Sequence, residues 1–343
     1  MILKLLERCI NKIYRLFGFE LKKIDLNSGI LKIDNDGVTY LRGASTTKPP
    51  PSNVPENLQN LFTTNGKIPI IYKYFDDRTN VNQPAVHNTE LIYRDAFKKL
   101  DNKKFHYYGN EINAFYDAMK KYPLDGKSVL VWGLNNCNCE AIALWNNALK
   151  VYVVDYNKPI CDHKKIEVLS HDELKNLNIK TDAAFSYSSF EHDGLGRYGD
   201  PINPDGDLQA MQGARNTLND GGLLFLGIPL GNDCLYWNAN RIYGKIRLPL
   251  LLKGWHCVDV YNIYKKITPE YPFDLPLGGY IQCILVCKKI PTDCPEDSAL
   301  AYYIYKDIRN EGSVRDNTHD PEMLNQISKI ILDFKYNENI VSK

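Results

Sequence analysis

The sequence predicts an α/β fold: a doubly wound, mostly parallel sheet of seven strands over residues 127–290, with a helical N-terminal extension before it. Three observations predict this. Short apolar runs recur from Lys127 onward, helix-like stretches separate the first five of them, and the last two are joined by the shorter link KKITPEYPFDLPLG. Apolar runs bounded by turns read as strands buried on both faces, and their alternation with helices reads as a parallel sheet.

The runs are SVLVWG, KVYVVD, IEVL, DAAFSYS, GGLLFLGIP, HCVDVYN and GYIQCILVCKK, in chain order. CEAIALWNNALK and GDLQAMQGARNTLN carry the helical pattern between them. A hairpin edge formed by the last two runs makes the sheet mixed. Gly133 closes the first run, Asp155 the second and Ser188 the fourth.

Outside the sheet the reading is coarser. Residues 1–25 form an amphipathic helix: Leu3, Leu6, Ile10, Ile13 and Phe17 share one face, Lys4, Arg8, Lys12 and Arg15 another. That pattern suits an anionic membrane surface or packing on the domain itself. Residues 26–126 are an extension interrupted by a proline-rich linker at 45–55, with a mostly helical lead-in over 56–121, and 291–343 are a helical tail.

Composition narrows the function classes. The 42 Lys and Arg against 41 Asp and Glu argue against a nucleic-acid-binding surface. The nine cysteines are irregularly spaced, several inside apolar runs, and read as reduced core thiols; no metal site is assigned. With no run of about 18 apolar residues to span a bilayer, the expectation is a cytoplasmic protein, peripheral at the inner face of a membrane if residues 1–20 bind there.

The strand order, with Gly133, Asp155, SSFEH after the fourth run and LNDGGLLFLGIP entering the fifth, resembles the class I S-adenosylmethionine-dependent methyltransferase fold, a Rossmann-like sheet. FEHDGLGRYGDP, with WGLNNCNCEAIAL upstream and NANRIYG downstream, is similar to the family catalogued as domain of unknown function 268. The first resemblance implies S-adenosylmethionine as methyl donor. Gly133, Asn135, Glu140, Asp155 and Ser188 are then the cofactor-binding candidates, with Asp155 accepting from the ribose hydroxyls. Glu140 serves either the helix dipole or the ligand's amino group. The turn GLNNCNCE departs from the family's glycine-rich pattern, and the same scarcity excludes a dinucleotide.

The polar loop Ser188–Asp207 carries the catalytic candidates: His192 as base, with Glu191 and Asp193 raising its pKa or fixing its tautomer. Arg197, Tyr198, Asp200, Asn238, Asn240, Arg241 and Tyr243 are the substrate-binding candidates, chosen as a fork, aromatics and amides suited to a polar sugar face. Asp205 and Asp207 read as a turn residue and a helix cap. The expected function is O-methylation of a sugar or glycan-type acceptor. The alternative is a glycan- or nucleotide-sugar-binding protein on the same scaffold that does not methylate.

Overall fold

The computed structural model describes residues 29–33, 39–43, 49–78, 111–133, 138–156, 158, 161, 163–262, 272–291 and 320–341. The helix expected at 1–25 and Asn135 lie outside them.

All seven apolar runs form strands of one sheet: β4 (Ser128–Trp132), β5 (Lys150–Val154), β6 (Ile166–Leu169), β7 (Thr181–Tyr187), β8 (Leu218–Gly231), β11 (Trp255–Asn262) and β12 (Tyr280–Lys289). Their order is β11-β12-β8-β7-β4-β5-β6. The pairs from β6 through β8 are parallel; β12 is antiparallel to both β8 and β11. The chain thus runs outward from β4 to one edge, returns to β7 beside β4, and ends in the expected antiparallel edge. Ligands of open α/β sheets bind where the order reverses, outside the carboxyl ends of the strands. Here that point lies between β4 and β7.

Alternate side chains feed cores on the two faces. Leu130, Trp132, Leu224 and Leu226 enter one, together with Met211 and Ala214 of α5 (Gly206–Thr217) and Met323, Ile327 and Ile331 of α7 (Pro321–Val341). Val129, Val131, Ala183, Phe185 and Phe225 enter the other, against α2 (Glu111–Lys121) and α3 (Asn138–Trp145). Each such side chain stabilises by about 1.5–3 kcal/mol, so strands buried on both faces fix the sheet firmly.

Of the lead-in over 56–121, the described parts hold the short α1 (Gln59–Phe62), β3 (Ile70–Tyr72) and α2, and ahead of the lead-in β1 (Gly29–Ile33) pairs with β2 (Thr39–Gly43) in a hairpin. β3 pairs in parallel with β9 (Cys234–Trp237), which turns back into β10 (Asn240–Ile242), making a second, three-stranded sheet. Val54, Phe62, Ile68, Leu195, Leu235 and Trp237 form a third cluster beneath it. The apolar IPIIY run therefore completes a sheet across the chain, a long-range pairing that local pattern does not reveal. Residues 49–78 become a strap laid over the polar loop.

Candidate functional site

Gly133, Asp155 and the Ser188–His192 segment follow the carboxyl ends of β4, β5 and β7, three adjacent strands. Gly133 has φ +77°, and its N–H donates to the Val154 carbonyl at 2.9 Å. A Cβ there would run into Ser189 Oγ, so two independent demands select glycine. Gly133→Ala is expected to cost about 2–4 kcal/mol, combining left-handed strain with overpacking; equilibrium denaturation checks it, and wild-type stability would refute the clash. Asp155 is partly exposed at the end of β5. Beside it Tyr156 is 46% exposed and lies tilted on His171 with ring centroids 4.4 Å apart. Sequence reasoning passed over that aromatic surface.

The segment after β7 is tightly specified. Ser188 sits at φ +49°, and its hydroxyl donates to Glu191 Oε1 at 2.7 Å. Glu191 is buried, and its other carboxyl oxygen has no hydrogen-bond partner. Burial pushes this carboxyl up to about 7 despite the Ser188 hydroxyl. His192 Nδ1 lies 2.5 Å from the Ala239 carbonyl. A carbonyl only accepts, so Nδ1 carries the hydrogen and Nε2 keeps its lone pair. Nε2 is 3.8 Å from Glu191 Oε1.

The expectation that Glu191 and Asp193 raise the pKa of His192 is overturned. Burial lowers it to about 4, with Arg197 and Arg241 adding to the effect against the Ala239 carbonyl. The tautomer is fixed by that carbonyl, not by a neighbouring carboxylate. Asp193 is pushed well above its usual range by burial and by Asp200; its carbonyl accepts from Arg241 Nη1 at 2.7 Å and its N–H donates to the Phe190 carbonyl at 3.1 Å.

Most residues chosen as substrate contacts hold the loop instead. Asp200 accepts from the backbone N–H groups of Gly194 (2.8 Å), Gly196 (2.9 Å) and Tyr198 (3.3 Å), closing the glycine-rich turn on itself. Arg241 is buried and donates to the carbonyls of Asp193, Asn203 and Pro204. Tyr243 donates to Asp207 Oδ2 at 3.1 Å. Asn238 Oδ1 accepts from the Phe75 N–H at 2.8 Å and Nδ2 donates to the Phe75 carbonyl at 2.9 Å. Asn240 Nδ2 donates to the Arg241 carbonyl at 3.2 Å. These polar groups are turned inward because the loop has few aliphatic side chains and is held by hydrogen bonds instead.

Arg197 is also engaged. Its Nε and Nη2 both lie 2.8 Å from Asp77 Oδ2. Its guanidinium stacks over Phe75 at 4.5 Å and Tyr198 at 5.0 Å, while Tyr198 stands edge-on to His192 at 5.6 Å. The strap residues Phe75 and Asp77 were not legible as site neighbours, since nothing local in YFDDR marks their partners.

Asp207, expected as a helix cap, lies in the first turn of α5, fully buried, and meets Arg247 of α6 (Arg247–Leu251) through Nε at 2.8 Å and Nη2 at 2.5 Å. The helix N-cap is Asp205, without a side-chain cap bond. Asp233 receives the N–H groups of Gly244, Ile246 and Arg247, fixing the entry to α6.

A seven-stranded sheet whose parallel part reverses at β4 and β7 and whose last strand is antiparallel defines the class I methyltransferase-type fold. Within that class, residues 126–275 match the family described as "Caenorhabditis protein of unknown function, DUF268", the family that the FEHDGLGRYGDP stretch identifies. No curated protein matches the sequence. One similar solved structure is the 1,6-didemethyltoxoflavin-N1-methyltransferase of Burkholderia thailandensis, at 12% identity over 79% of this chain and 99% of that one, with a TM-score of 0.41. Another is the arsenic(III) S-adenosylmethionine methyltransferase of Chlamydomonas reinhardtii, at 12% identity over 50% of this chain and 67% of that one, with a TM-score of 0.34.

Proposed function

We propose that the chain is an S-adenosylmethionine-dependent O-methyltransferase. The observation that carries this reading is the placement of a partly exposed Asp155 after β5 and of His192 after β7, the two strands that flank β4, with a His192 tautomer that leaves Nε2 as an acceptor. A carboxylate at the end of β5 suits a ribose diol, which offers two hydroxyl donors to an acceptor-only group. Gly133 and Ser188, both at left-handed backbone angles, turn the chain away at the ends of β4 and β7. These residues fit a nucleoside donor, whose sulfonium supplies an electrophilic methyl group when bound.

His192 Nε2 takes the proton from an acceptor hydroxyl as the oxygen attacks, and Glu191 Oε1 stabilises the imidazolium that forms. The acceptor is a hydroxyl compound, with a sugar as the class to test first. That choice rests on the base alone, because Asp200, Asn238, Arg241 and Tyr243 are spent within the fold.

S-adenosylhomocysteine is expected to bind in the micromolar range, about 8 kcal/mol, and Asp155→Ala to weaken it strongly. Calorimetry on the full chain measures both. No heat at millimolar ligand would remove the donor and leave the reading of a binding protein that does not methylate.

A further inference from the structure

We propose that Asn238 is a positioning residue for His192: by gripping the backbone of the strap at Phe75, it holds the Ala239 carbonyl where Nδ1–H donates to it. Asn238 and Ala239 join β9 to β10 in a tight turn, closed by the Ala239 N–H on the Tyr236 carbonyl at 2.6 Å. Both residues are buried. Among the described residues the Ala239 carbonyl is the one hydrogen-bond partner of the His192 imidazole. The bond made by one ring nitrogen sets the tautomer of the whole ring, so the state of the base depends on where this turn sits.

The turn is held from the strap. β3 and β9 pair as far as Tyr72 and Trp237, and the Lys73 N–H adds a bond to the Trp237 carbonyl at 2.6 Å. Beyond that point the Asn238 side chain takes over from the backbone. Its Oδ1 accepts from the Phe75 N–H at 2.8 Å, and its Nδ2 donates to the Phe75 carbonyl at 2.9 Å. A primary amide carries a donor and an acceptor side by side, so it meets both groups of a strand residue. The Trp237 indole N–H donates to the Pro51 carbonyl at 3.0 Å, anchoring the same turn to the start of the strap.

At its far end the strap also holds the polar loop. The Asp77 N–H donates to the Arg197 carbonyl at 2.9 Å, and the Asp77 carboxylate pairs with the guanidinium that stacks over Tyr198. His192 therefore lies between two parts of the chain that the strap binds together. The strap lies ahead of residues 126–275, so the N-terminal extension completes the site. Asn238→Ala removes both partners of Phe75 and releases the turn; the imidazole then loses the fixed acceptor that selects Nδ1–H.

The effect on turnover rests on His192 being the base of the methyl-transfer reading; the tautomer does not, and it is measured without an acceptor. The experiment is a long-range proton–nitrogen NMR correlation spectrum of the full chain, isotope-labelled in histidine, with His192→Gln identifying the signals of that ring. Wild type is expected to show hydrogen on Nδ1 at neutral pH, and Asn238→Ala a mixture of the two tautomers, with S-adenosylhomocysteine bound as by wild type. With an acceptor in hand, kcat of Asn238→Ala should fall by about 10²-fold and KM for the donor should stay unchanged.

Hydrogen on Nε2 in wild type overturns the positioning role. Hydrogen on Nδ1 alone in Asn238→Ala also overturns it and leaves Asn238 to the fold. Where Asn238→Ala does not fold, Phe75→Pro deletes the same N–H bond from the strap's side, and an unchanged tautomer there overturns the role equally. A wild type that binds no S-adenosylhomocysteine, with the tautomer shifting as expected, overturns the donor reading and keeps the role of Asn238.

Discussion

Asp207→Asn is expected to destabilise the protein by about 3–5 kcal/mol, read by urea denaturation at neutral pH. The wild-type carboxylate is fully buried against Arg247 at 2.5 and 2.8 Å, with the Tyr243 hydroxyl at 3.1 Å and Arg241 Nε at 3.7 Å. An amide of the same shape cannot neutralise these guanidinium groups, so the variant leaves buried cations without their counter-charge. Burial opposes ionisation of Asp207, but Arg241 and Arg247 outweigh it and hold its pKa below the ordinary value. Its contribution is therefore complete above about pH 3.9 and is lost as pH falls through the lowered folded value. Because Arg241 also donates to carbonyls at 193, 203 and 204, the same change should loosen the loop that carries His192. Asp205→Asn is the control: its side chain is 63% exposed and 3.9 Å from Arg247, and exposed pairs contribute little. If both variants were as stable as wild type, the buried network would not be what holds the loop.

The sheet was legible because both-face burial leaves a strong trace: an unbroken run such as VLVW has few alternatives to a central strand. The strand ends were legible for the same reason, since Gly133, Asp155 and Ser188 follow directly from where the runs stop. Side-chain destinations in the polar loop were not. Asp200, Arg241 and Tyr243 have the chemistry of ligand contacts, and sequence alone does not say whether a donor or acceptor faces a ligand or a backbone group. Here the answer depends on contacts between residues far apart in the chain, such as Asp77 with Arg197 and Phe75 with Asn238. The missed sheet of β3, β9 and β10 has the same origin. Residues such as Ala239 act through a carbonyl, which no side-chain pattern announces.

His192→Ala is expected to lower kcat by about 10²–10⁴-fold while S-adenosylhomocysteine affinity stays near wild type, once a hydroxyl acceptor has been found. The accompanying pH profile separates the two partners. His192, lowered to about 4, is already neutral across the working range and adds no limb near neutrality. Glu191, raised to about 7, must lose its proton before it can stabilise an imidazolium 3.8 Å away. Activity should therefore rise as pH passes through about 7 and level off above it, and Glu191→Gln should both lower the plateau and remove that limb.

Stability gives a second readout that needs no acceptor. Glu191 binds a proton in the folded state between its ordinary value near 4.5 and about 7, so its contribution falls as pH rises through that window. His192 binds one only in the unfolded state between about 4 and its ordinary value near 6.5, so its contribution grows with pH there. In wild type the two nearly cancel from about pH 4.5 to 6.5. Taken as the difference from wild type, the stability of Glu191→Gln should rise by about 1.4 kcal/mol per pH unit over that range, and that of His192→Ala should fall correspondingly. Variants whose stability tracks wild type at every pH would show that neither group has the protonation state on which its catalytic role depends.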